Sequence, residues 1–512
     1  MTDRRQLLKS LAAAGGVALL PRIMRAAAPL PEFPFRLGLS SGFATAASVV
    51  LWTRLAPQPD QPDGGMPAAD WPLRYEVAAD EKFRRIVKRG NAIAAAGFAH
   101  SVHQEVTGLA PARDYWYRFI AGDHVSAVAR TRTLPAPRAQ VERLRIAVAC
   151  CQNYEHGHFA ALRYLAADAP DMVLHLGDYI YEGSPAARSV RAHTGGRCMT
   201  LEDYRRRYAL YQCDPALQAA HAAAPWFVTW DDHEVTNDYA GPLAGRQEDA
   251  FLVRRAAAYQ AWYEHLPAPP SMAPRAGAMR IYWRAQLGRL ATLHMLDQRQ
   301  YRSPEACPRP PQLGGLRVGP ECTDLAAPAR SMLGSEQEQW LDDGLHRHPG
   351  AWTLLGQGTP FTSINQGTVE APQYSTDSWS GYPVARQRLV DSLRQARAAN
   401  PVLLGGDIHV ALVAGINAVP ERLDTPLVAA EFCATSISSN PQPQATFDKW
   451  VATNDNLKRL DGTRRGYLSL TLGSRQLRAD LVTVDDATRV DAARGVAASY
   501  VVEAGNPAIH TA

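Results

Sequence analysis

The sequence predicts an α/β protein that is preceded by an all-β domain. Residues 33–135 contain short alternating hydrophobic stretches separated by glycine and proline clusters, a pattern typical of a β-sandwich. From residue 143 onward, short apolar runs end in polar or glycine-rich turns and alternate with helical stretches, which indicates the buried strands of an α/β domain. We therefore predict a β-sandwich over 33–135, a linker at 134–137 and a second domain over 143–505.

The hydrophobic patterns place the individual elements. In the first domain the predicted strands are 48–52, 73–77, 103–106 and 115–119. In the second domain they are 146–149, 172–176, 227–230, 290–296, 352–355, 402–404, 467–472, 477–484 and 499–503. The predicted helices are 158–168, 202–210, 251–265, 335–346 and 385–399. Because α/β folds bind ligands at the carboxyl ends of their strands, functional residues are expected there.

Composition excludes several classes of protein. The chain has 512 residues, of which 46% are hydrophobic and 20% charged, so it is neither disordered, collagenous nor a coiled coil. No apolar run reaches the roughly 18 residues that a membrane span needs, so we predict no stable membrane insertion.

The net charge of +4 belongs to the N-terminal segment. Residues 1–28 contain five cationic side chains and one carboxylate, so residues 29–512 sum to zero. A neutral body is a poor candidate for general polyanion binding. We therefore expect no nucleic acid as a structural partner.

Residues 1–28 are predicted to be an export signal. Arg4 and Arg5 precede an apolar run over 11–20 and a small-residue stretch over 26–28, as in secretory signals, and the paired arginines resemble a twin-arginine signal. The predicted partner is the twin-arginine export machinery, and the predicted location is periplasmic or secreted after signal removal. The alternatives are a basic amphipathic arm or a membrane anchor.

Chemically distinctive residues follow four of the predicted strands. The four stretches are Cys150-Cys151-Gln152-Asn153, Gly177-Asp178-Tyr179-Ile180-Tyr181-Glu182, Asp231-Asp232-His233-Glu234 and Gly405-Gly406-Asp407-Ile408-His409. A single Gly-Asp after a strand is usually a turn, and a single histidine is usually structural. Four such stretches in order, each at a strand end, indicate a shared site.

The order of these motifs resembles the calcineurin-like metallophosphoesterases. That group uses Asp-x-His, Gly-Asp, Gly-Asn-His-Asp/Glu and Gly-His-x-His. This chain lacks Asp-x-His at 149–153, has Asp232 where Asn is usual, and has Asp407 where the first histidine of the last motif is usual. These departures match one branch, the alkaline phosphatase D (PhoD-type) family. Further stretches similar to that family are 50–55, 175–182, 230–235, 296–302 and 337–341.

The resemblance implies both a fold and an activity. The fold is a calcineurin-like metallophosphoesterase sandwich, with two central sheets flanked by helices, after a fibronectin-like all-β domain. The activity is that of a secreted, metal-dependent phosphoric ester hydrolase, which cleaves phosphomonoesters, phosphodiesters or both by attack of a metal-bound hydroxide. The phosphoester substrate is the implied partner.

Two alternatives to this activity stay open. One is a dedicated phospholipase D-like phosphodiesterase of the same family, which would differ in the loops around 183–200 and 302–330. The other is an inactive cell-surface binding protein that uses the β-sandwich.

The resemblance also implies a metal centre with two sites. Cys151, Asp178, Tyr181 and His409 would hold one ion, and Fe(III) is the natural choice for a set that includes a phenolate. Asp178 would bridge to the second site.

At the second site Asp232 and Asp407 would supply oxygen ligands, which suit one or two Ca²⁺ ions, or Mn²⁺ or Mg²⁺. Gln357 fits the position of an amide ligand to this site. The alternative is that Gln357 is a loop residue and water completes the site.

Other side chains are assigned by the same resemblance. His233, beside Asp232, would donate a proton to the leaving oxygen, and its alternative role is to orient a neighbouring group. Asn153, Asn237 and Arg299 are candidate substrate contacts.

The family's cysteine ligand stands directly before glutamine, which selects Cys151 over Cys150. The side chain of Cys150 would point to the other face of the strand end. We predict that it is a buried small hydrophobe, with a disulfide to Cys433 as the alternative.

An exported chain with seven cysteines has at least one that is not in a disulfide. If Cys151 binds the metal, the remaining number is even. We predict the pairs Cys198–Cys213 and Cys307–Cys322, each of which brackets fourteen residues. A bond between the latter two would add about 3 kcal/mol by the loop-entropy relation.

Overall fold

The computed structural model describes residues 30, 32–347, 350–419 and 422–512. The predicted export signal at 1–28 lies outside these residues. In the first part of the chain the strands are β1 Leu39–Gly42, β2 Ser48–Arg54, β3 Trp71–Ala78, β4 Ile86–Ala94, β5 Ser101–Thr107, β6 Asp114–Ala121, β7 His124–Val125 and β8 Ala129–Arg132. The remaining strands are β9 Arg143–Ala149, β10 Met172–His175, β11 Trp226–Val228, β12 Trp283–Leu287, β13 Ala291–Met295, β14 Arg317–Val318, β15 Trp352–Gly356, β16 Tyr374–Ser375, β17 Pro401–Gly405, β18 Ala411–Asn417, β19 Leu427–Cys433, β20 Leu457–Asp461, β21 Arg465–Gly473, β22 Gln476–Val484, β23 Arg494–Glu503 and β24 Asn506–Thr511.

The helices include all five that the sequence predicts. They are α1 Ala160–Asp168, α2 Leu201–Gln212, α3 Pro215–Ala223, α4 Phe251–His265, α5 Gly334–Arg347, α6 Pro383–Gln395 and α7 Gln444–Thr453. The sequence analysis missed α3 and α7, and it extended α6 to residue 399. Helix α6 ends earlier because Arg397 and Asn400 take left-handed backbone angles, which a helix cannot contain.

Two large sheets lie at the centre of the molecule. The first has ten strands in the order β24-β23-β22-β21-β9-β10-β11-β1-β2-β5, and the second has seven in the order β12-β13-β15-β17-β19-β18-β20. Strands β9, β10 and β11 are mutually parallel in the first sheet, as are β13, β15, β17 and β19 in the second. Parallel strands are buried on both faces, which explains their continuous apolar runs.

The hydrophobic core fills the space between the two sheets. Val148 and Leu174 of the first sheet belong to the same buried cluster as Leu354, Leu404 and Phe432 of the second. Helices α1 to α4 contribute to a second cluster together with the ten-stranded sheet, and α5 and α6 contribute to a third with the seven-stranded sheet. The result is the arrangement that the resemblance implies, with two central sheets flanked by helices.

The N-terminal strands form two layers. Strands β4, β3, β6 and β7 form a separate sheet, to which β8 adds through β6. Strands β1, β2 and β5 instead extend the ten-stranded sheet, because β1 pairs with β11 through Gly42 and Trp226. The all-β region is therefore joined to the second domain by a continuous sheet, a feature that the sequence analysis did not predict.

The described cysteines follow only part of the prediction. Cys307 and Cys322 form a disulfide, as predicted. The predicted bond between Cys198 and Cys213 is wrong, because both are free. Helix α2 lies between them and its twelve residues are roughly 18 Å long at 1.5 Å per residue, well beyond the Cα spacing of a disulfide. Cys150 is buried and free, as predicted.

Among the described residues, no helix has both the length and the apolar character that crossing a membrane requires.

His103 lies at the junction between the N-terminal strands and α4. Its ring stacks on that of Tyr263, with centroids 4.1 Å apart, and its Nδ1 lies 2.9 Å from the Ala268 carbonyl oxygen. Its Nε2 is buried without a partner. Burial lowers the pKa of His103 to about 4. Between about pH 4 and pH 6.5 the residue is therefore protonated in the unfolded chain and neutral in the folded chain.

We expect the free energy of unfolding to fall as the pH drops from about 6.5 to about 4, by up to about 1.4 kcal/mol per pH unit from this residue. Above pH 6.5 the residue contributes no pH dependence. Denaturant unfolding of wild type and His103→Phe at several pH values measures the effect, with the exposed His510→Asn as the control. An equally steep acid dependence in His103→Phe would contradict this assignment.

Candidate metal centre

The predicted ligands lie together at the carboxyl ends of strands from both large sheets. Cys151 follows β9, Asp178 follows β10, Asp232 follows β11, and Asp407 and His409 follow β17. Because these strands run parallel within each sheet, their ends meet at one edge of the molecule. The residues that the sequence analysis derived from four separate motifs are therefore neighbours in space.

Four of these residues have a backbone conformation that L-amino acids rarely adopt. The φ angles are 56° at Cys151, 55° at Asp178, 69° at Asp407 and 60° at His409. Each such residue costs of order 1–3 kcal/mol, and such strain clusters at functional sites. The turns at three strand ends therefore carry backbone strain at the residues that form the candidate site.

The first group of side chains consists of Cys151, Asp178, Tyr181 and His409. Ligand atoms of Cys151, Asp178 and His409 all lie within 4.8 Å of one another. The Tyr181 hydroxyl lies 2.8 Å from Asp178 Oδ2 and 2.9 Å from His409 Nε2. Sulfur, carboxylate, phenol and imidazole thus converge on one volume, as the ligands of a single cation do.

Neighbouring groups orient two of these ligands. The Nδ1 atom of His409 lies 2.9 Å from the Asn440 carbonyl oxygen and donates its proton there, which leaves Nε2 directed at Tyr181 and Asp178. The Ser439 hydroxyl donates a hydrogen bond of 2.7 Å to the Tyr181 oxygen. A histidine held in this tautomer is ready to bind a metal through Nε2.

The thiol and the phenol need a cation to ionise. Burial raises the pKa of Cys151 well above its usual value, and the nearby Cys150 and Asp178 raise it further. Burial, with Asp178 as the next cause, likewise raises the pKa of Tyr181. A positive ion at their common point would reverse both shifts.

The second group is rich in carboxylates. Asp178, Asp232 and His233 offer ligand atoms within 4.8 Å of one another, so Asp178 belongs to both groups. Asp178 Oδ1 and Asp232 Oδ1 are buried without a hydrogen-bond partner. Burial raises the pKa of Asp407, and Asp231 and Asp377 raise it further. Unpaired buried carboxylate oxygens that repel one another fit a site for a hard cation.

We expect Asp407→Asn to stabilise the metal-free protein while it weakens metal binding. The substitution removes one charge from a group of buried carboxylates that repel one another, so the melting temperature of the metal-free protein should rise by about 1–3 °C. Adding Ca²⁺ should stabilise the wild type more than the variant. Calorimetric melting with and without metal measures both effects. A metal-free variant that melts below the metal-free wild type would contradict the presence of repulsion.

His233 is paired with a carboxylate that the sequence analysis did not assign. Its Nδ1 lies 2.7 Å from Glu182 Oε2, and its ring lies 4.2 Å from that of Tyr181. The Glu182 carboxylate also accepts the Asn237 backbone N–H at 3.1 Å. Glu182 therefore fixes the ring of His233 and leaves its Nε2 free. Only the proximity of Glu182 to Tyr181 in sequence hinted at this role.

Glu234 was also missed, and it organises two of the strand-end turns. Its carboxylate accepts the backbone N–H groups of Asp178, Tyr179 and Asp231 at 3.1, 2.7 and 3.0 Å. Gly177, with φ at 108°, packs so closely against the backbone of Asp231 that a Cβ atom would clash. Together these residues fix the distance between the turns that carry Asp178 and Asp232.

Arg299, which the sequence analysis predicted to contact substrate, is paired with carboxylates of the protein. Its guanidinium is fully buried, and it binds Asp231 at 2.5 Å and Asp377 at 2.5 and 3.0 Å. Asp232 lies 3.8 Å away. Three of the five N–H groups of Arg299 bind these carboxylates, and the pairing with Asp231 holds the turn before Asp232 in place.

Three other predicted residues lie in hydrogen-bonded loops. Asn153 Oδ1 accepts the Glu155 backbone N–H at 2.9 Å, and the Asn237 side chain donates to Asp238. Gln357 is buried, and its side-chain oxygen accepts hydrogen bonds from Gln298 and Trp379 at 3.1 and 3.2 Å. Because both lone pairs of that oxygen are used, the geometry favours the loop alternative for Gln357 over metal binding.

A cavity of about 410 Å³ opens onto the centre. Asp407 and His409 line it together with Asp377, Arg317 and Trp450. A cavity of this volume can hold a small organic ligand.

Comparison with known proteins identifies a family for both parts of the chain. The model of the PhoD-like phosphatase family matches residues 146–481, and that of the PhoD-like phosphatase N-terminal domain matches residues 22–135. Alkaline phosphatase D of Bacillus subtilis (strain 168) is 40% identical over 519 aligned positions, which cover 98% of this chain and 88% of that protein. A solved structure described as the structure of PhoD superposes with a TM-score of 0.90 at 40% identity, covering 95% of this chain and 93% of that one.

The fold and the site thus define a phosphoric ester hydrolase with an α/β catalytic region and an N-terminal domain of strands. The chain belongs to the PhoD-like phosphatase family. Membership of a family of phosphatases argues against one alternative raised by the sequence, an inactive binding protein. The other alternative, a dedicated phosphodiesterase, differs only in which phosphoester is the substrate.

Proposed function

We propose that this enzyme is an exported, metal-dependent hydrolase of phosphomonoesters, phosphodiesters or both, with two metal sites that share Asp178. One observation carries the proposal. Asp178 lies within 4.8 Å of ligand atoms in both groups, one with sulfur and nitrogen donors and one with carboxylate donors. A carboxylate between two such groups is the expected bridge of a two-metal phosphoesterase.

The donor chemistry distinguishes the two ions. Cys151, Asp178, Tyr181 and His409 would hold Fe(III), since a buried phenol ionises most readily next to a trivalent ion. Asp178, Asp232 and Asp407 would hold Ca²⁺, with Mn²⁺ and Mg²⁺ as alternatives for an oxygen-rich site.

When bound, the two cations supply charge for the phosphoryl oxygens and lower the pKa of water. The protein provides the proton for the leaving group. His233 donates a hydrogen bond from Nδ1 to Glu182, so its Nε2 would be the atom that faces the substrate. The attacking water would lose one proton to bulk solvent. As its oxygen bonds to phosphorus, the bond from phosphorus to the leaving oxygen would break, and the leaving oxygen would keep the electron pair and take the proton from Nε2, which His233 then regains from solvent.

A substrate panel tests this proposal. Purified enzyme would be assayed with phosphomonoesters, nucleotides, phospholipids and teichoic-acid-like diesters after incubation with Ca²⁺, Mn²⁺, Mg²⁺ or a chelator. We expect hydrolysis that the chelator removes and the metal restores. Undiminished activity in a chelator-treated, metal-free enzyme would contradict metal dependence.

Export is tested separately. Arg4→Lys together with Arg5→Lys should leave the precursor in the cytoplasm, because the twin-arginine machinery reads the arginine pair. Immunoblots of fractionated cells would measure the distribution. Normal secretion of the double variant would contradict the predicted route.

A further inference from the structure

Arg317 is an unpaired cation in the cavity that holds the metal-ligand candidates. Among the described residues that line this cavity, it is the only arginine or lysine. The guanidinium has no hydrogen bond or ion pair to any described residue. Its recorded contact is with the ring face of Trp450, where the guanidinium carbon lies 5.5 Å from the ring centroid. Since the planar face of Arg317 rests on an aromatic ring, its N–H edges are available to a ligand.

The backbone around Arg317 is held in place. Strand β14, which contains Arg317, pairs with β16 through Arg317–Ser375 and Val318–Tyr374. On the preceding residue, the backbone N–H of Leu316 donates to Thr376 Oγ1 at 3.0 Å, and its carbonyl accepts the Thr376 N–H at 2.9 Å. The guanidinium therefore projects from a paired strand.

The loop that carries Arg317 is also tied to the metal-binding turns. The Cys307–Cys322 disulfide closes this loop. Within it, the Gly315 N–H donates to Glu305 at 2.7 Å, and Glu305 accepts a hydrogen bond from Arg302 at 2.9 Å. Arg302 also donates a hydrogen bond of 2.7 Å to Asp377. Asp377 accepts a hydrogen bond from Arg299 as well, and Arg299 binds Asp231. This chain of ion pairs fixes Arg317 relative to the metal site.

We propose that Arg317 binds a second anionic group of the substrate, a carboxylate or phosphate that lies beyond the ester being cleaved. This inference rests on the proposed function, because it assumes that the scissile phosphoryl group occupies the metal centre. A guanidinium matches the planar geometry of a carboxylate and pairs with it through two hydrogen bonds. The rings of Trp450 and Phe447, which also line the cavity, offer an apolar wall for the part that links the two anions.

Matched substrates test this assignment. Two 4-nitrophenyl phosphodiesters would be compared, one of 4-hydroxybutanoate and one of 4-hydroxybutanamide, which differ by one negative charge and little in size. We expect wild type to prefer the carboxylate roughly tenfold in kcat/KM, mainly through a lower KM. Arg317→Gln should abolish the preference and leave activity on the amide unchanged, and Arg317→Lys should keep part of it.

The control variant is Arg309→Gln, which changes a cation in the same disulfide loop that does not line the cavity. It should retain the full preference. A wild type without preference for the carboxylate, or an Arg317→Gln variant that loses both activities equally, would overturn the inference.

A binding measurement separates this inference from the proposed function. Calorimetric titration with 4-phosphonobutanoate and its amide uses probes that are not hydrolysed. Tighter binding of the carboxylate to wild type, lost in Arg317→Gln, would support the role of Arg317 even if no ester were cleaved. Equal affinities of wild type and Arg317→Gln for 4-phosphonobutanoate would overturn it even if every ester were cleaved.

Discussion

Asp178→Asn is expected to lower kcat/KM by at least about a thousandfold, because a neutral amide cannot neutralise and bridge two cations. The same substitution should reduce the content of both metals. Asparagine is the suitable replacement because it tolerates the left-handed backbone at this position, where φ is 55°. Its side-chain oxygen can also still accept the Tyr181 hydroxyl. Steady-state kinetics and metal analysis of the purified variant measure both losses.

Asp123→Asn is the control for this experiment, since Asp123 is exposed in the turn between β6 and β7. Its metal content and activity should equal those of wild type. If Asp178→Asn kept both metals and most of its activity, Asp178 would not be the shared ligand.

The second large effect concerns His233. His233→Asn should lower the rate by about 10²–10⁴-fold for alkyl phosphoesters, whose leaving oxygen needs a proton. For 4-nitrophenyl esters the loss should be far smaller, because 4-nitrophenolate leaves without one. Glu182→Gln should also slow the hydrolysis of alkyl esters more than that of 4-nitrophenyl esters, but by a smaller factor. The reason is that the Glu182 carboxylate accepts the hydrogen bond from His233 Nδ1 and orients the ring.

The ratio of the two losses decides the role of His233. His346→Asn, on the exposed surface of α5, provides the control and should change neither rate. Equal losses for alkyl and 4-nitrophenyl esters would assign His233 to the positioning of Asp232 or of the metals instead of to proton donation.

The local sequence was enough to predict that residues from several strand ends share one site, and the family resemblance supplied the ligand set. Strand ends followed by Gly-Asp, Asp-Asp-His and Gly-Asp-Ile-His are local patterns, and parallel strands necessarily bring their ends to one edge. The side chains of Cys151, Asp178, Tyr181 and His409 accordingly converge. That they bind metal ions, and which ions, stays a prediction.

Features that depend on distant contacts were not predictable in the same way. The sequence analysis expected Arg299 to contact substrate. In the structure its guanidinium is paired with Asp231 and Asp377, which lie 68 and 78 residues away in sequence. Strand β1 joins the large sheet through its pairing with Trp226, and nothing in its own four residues indicates that partner. The failed Cys198–Cys213 pairing shows the opposite case, because the helix predicted between them in the local sequence already made the bond unfavourable.

The most direct test of the two-metal centre is the metal content and visible spectrum of the purified enzyme beside its Tyr181→Phe variant. We predict iron and a second metal in the wild type, together with a visible absorption band from the iron–phenolate pair. Tyr181→Phe should lose that band and most of the activity, because Phe cannot supply the oxygen that lies 2.8 Å from Asp178 and 2.9 Å from His409. A colourless, iron-free wild type with full activity would contradict the proposed centre.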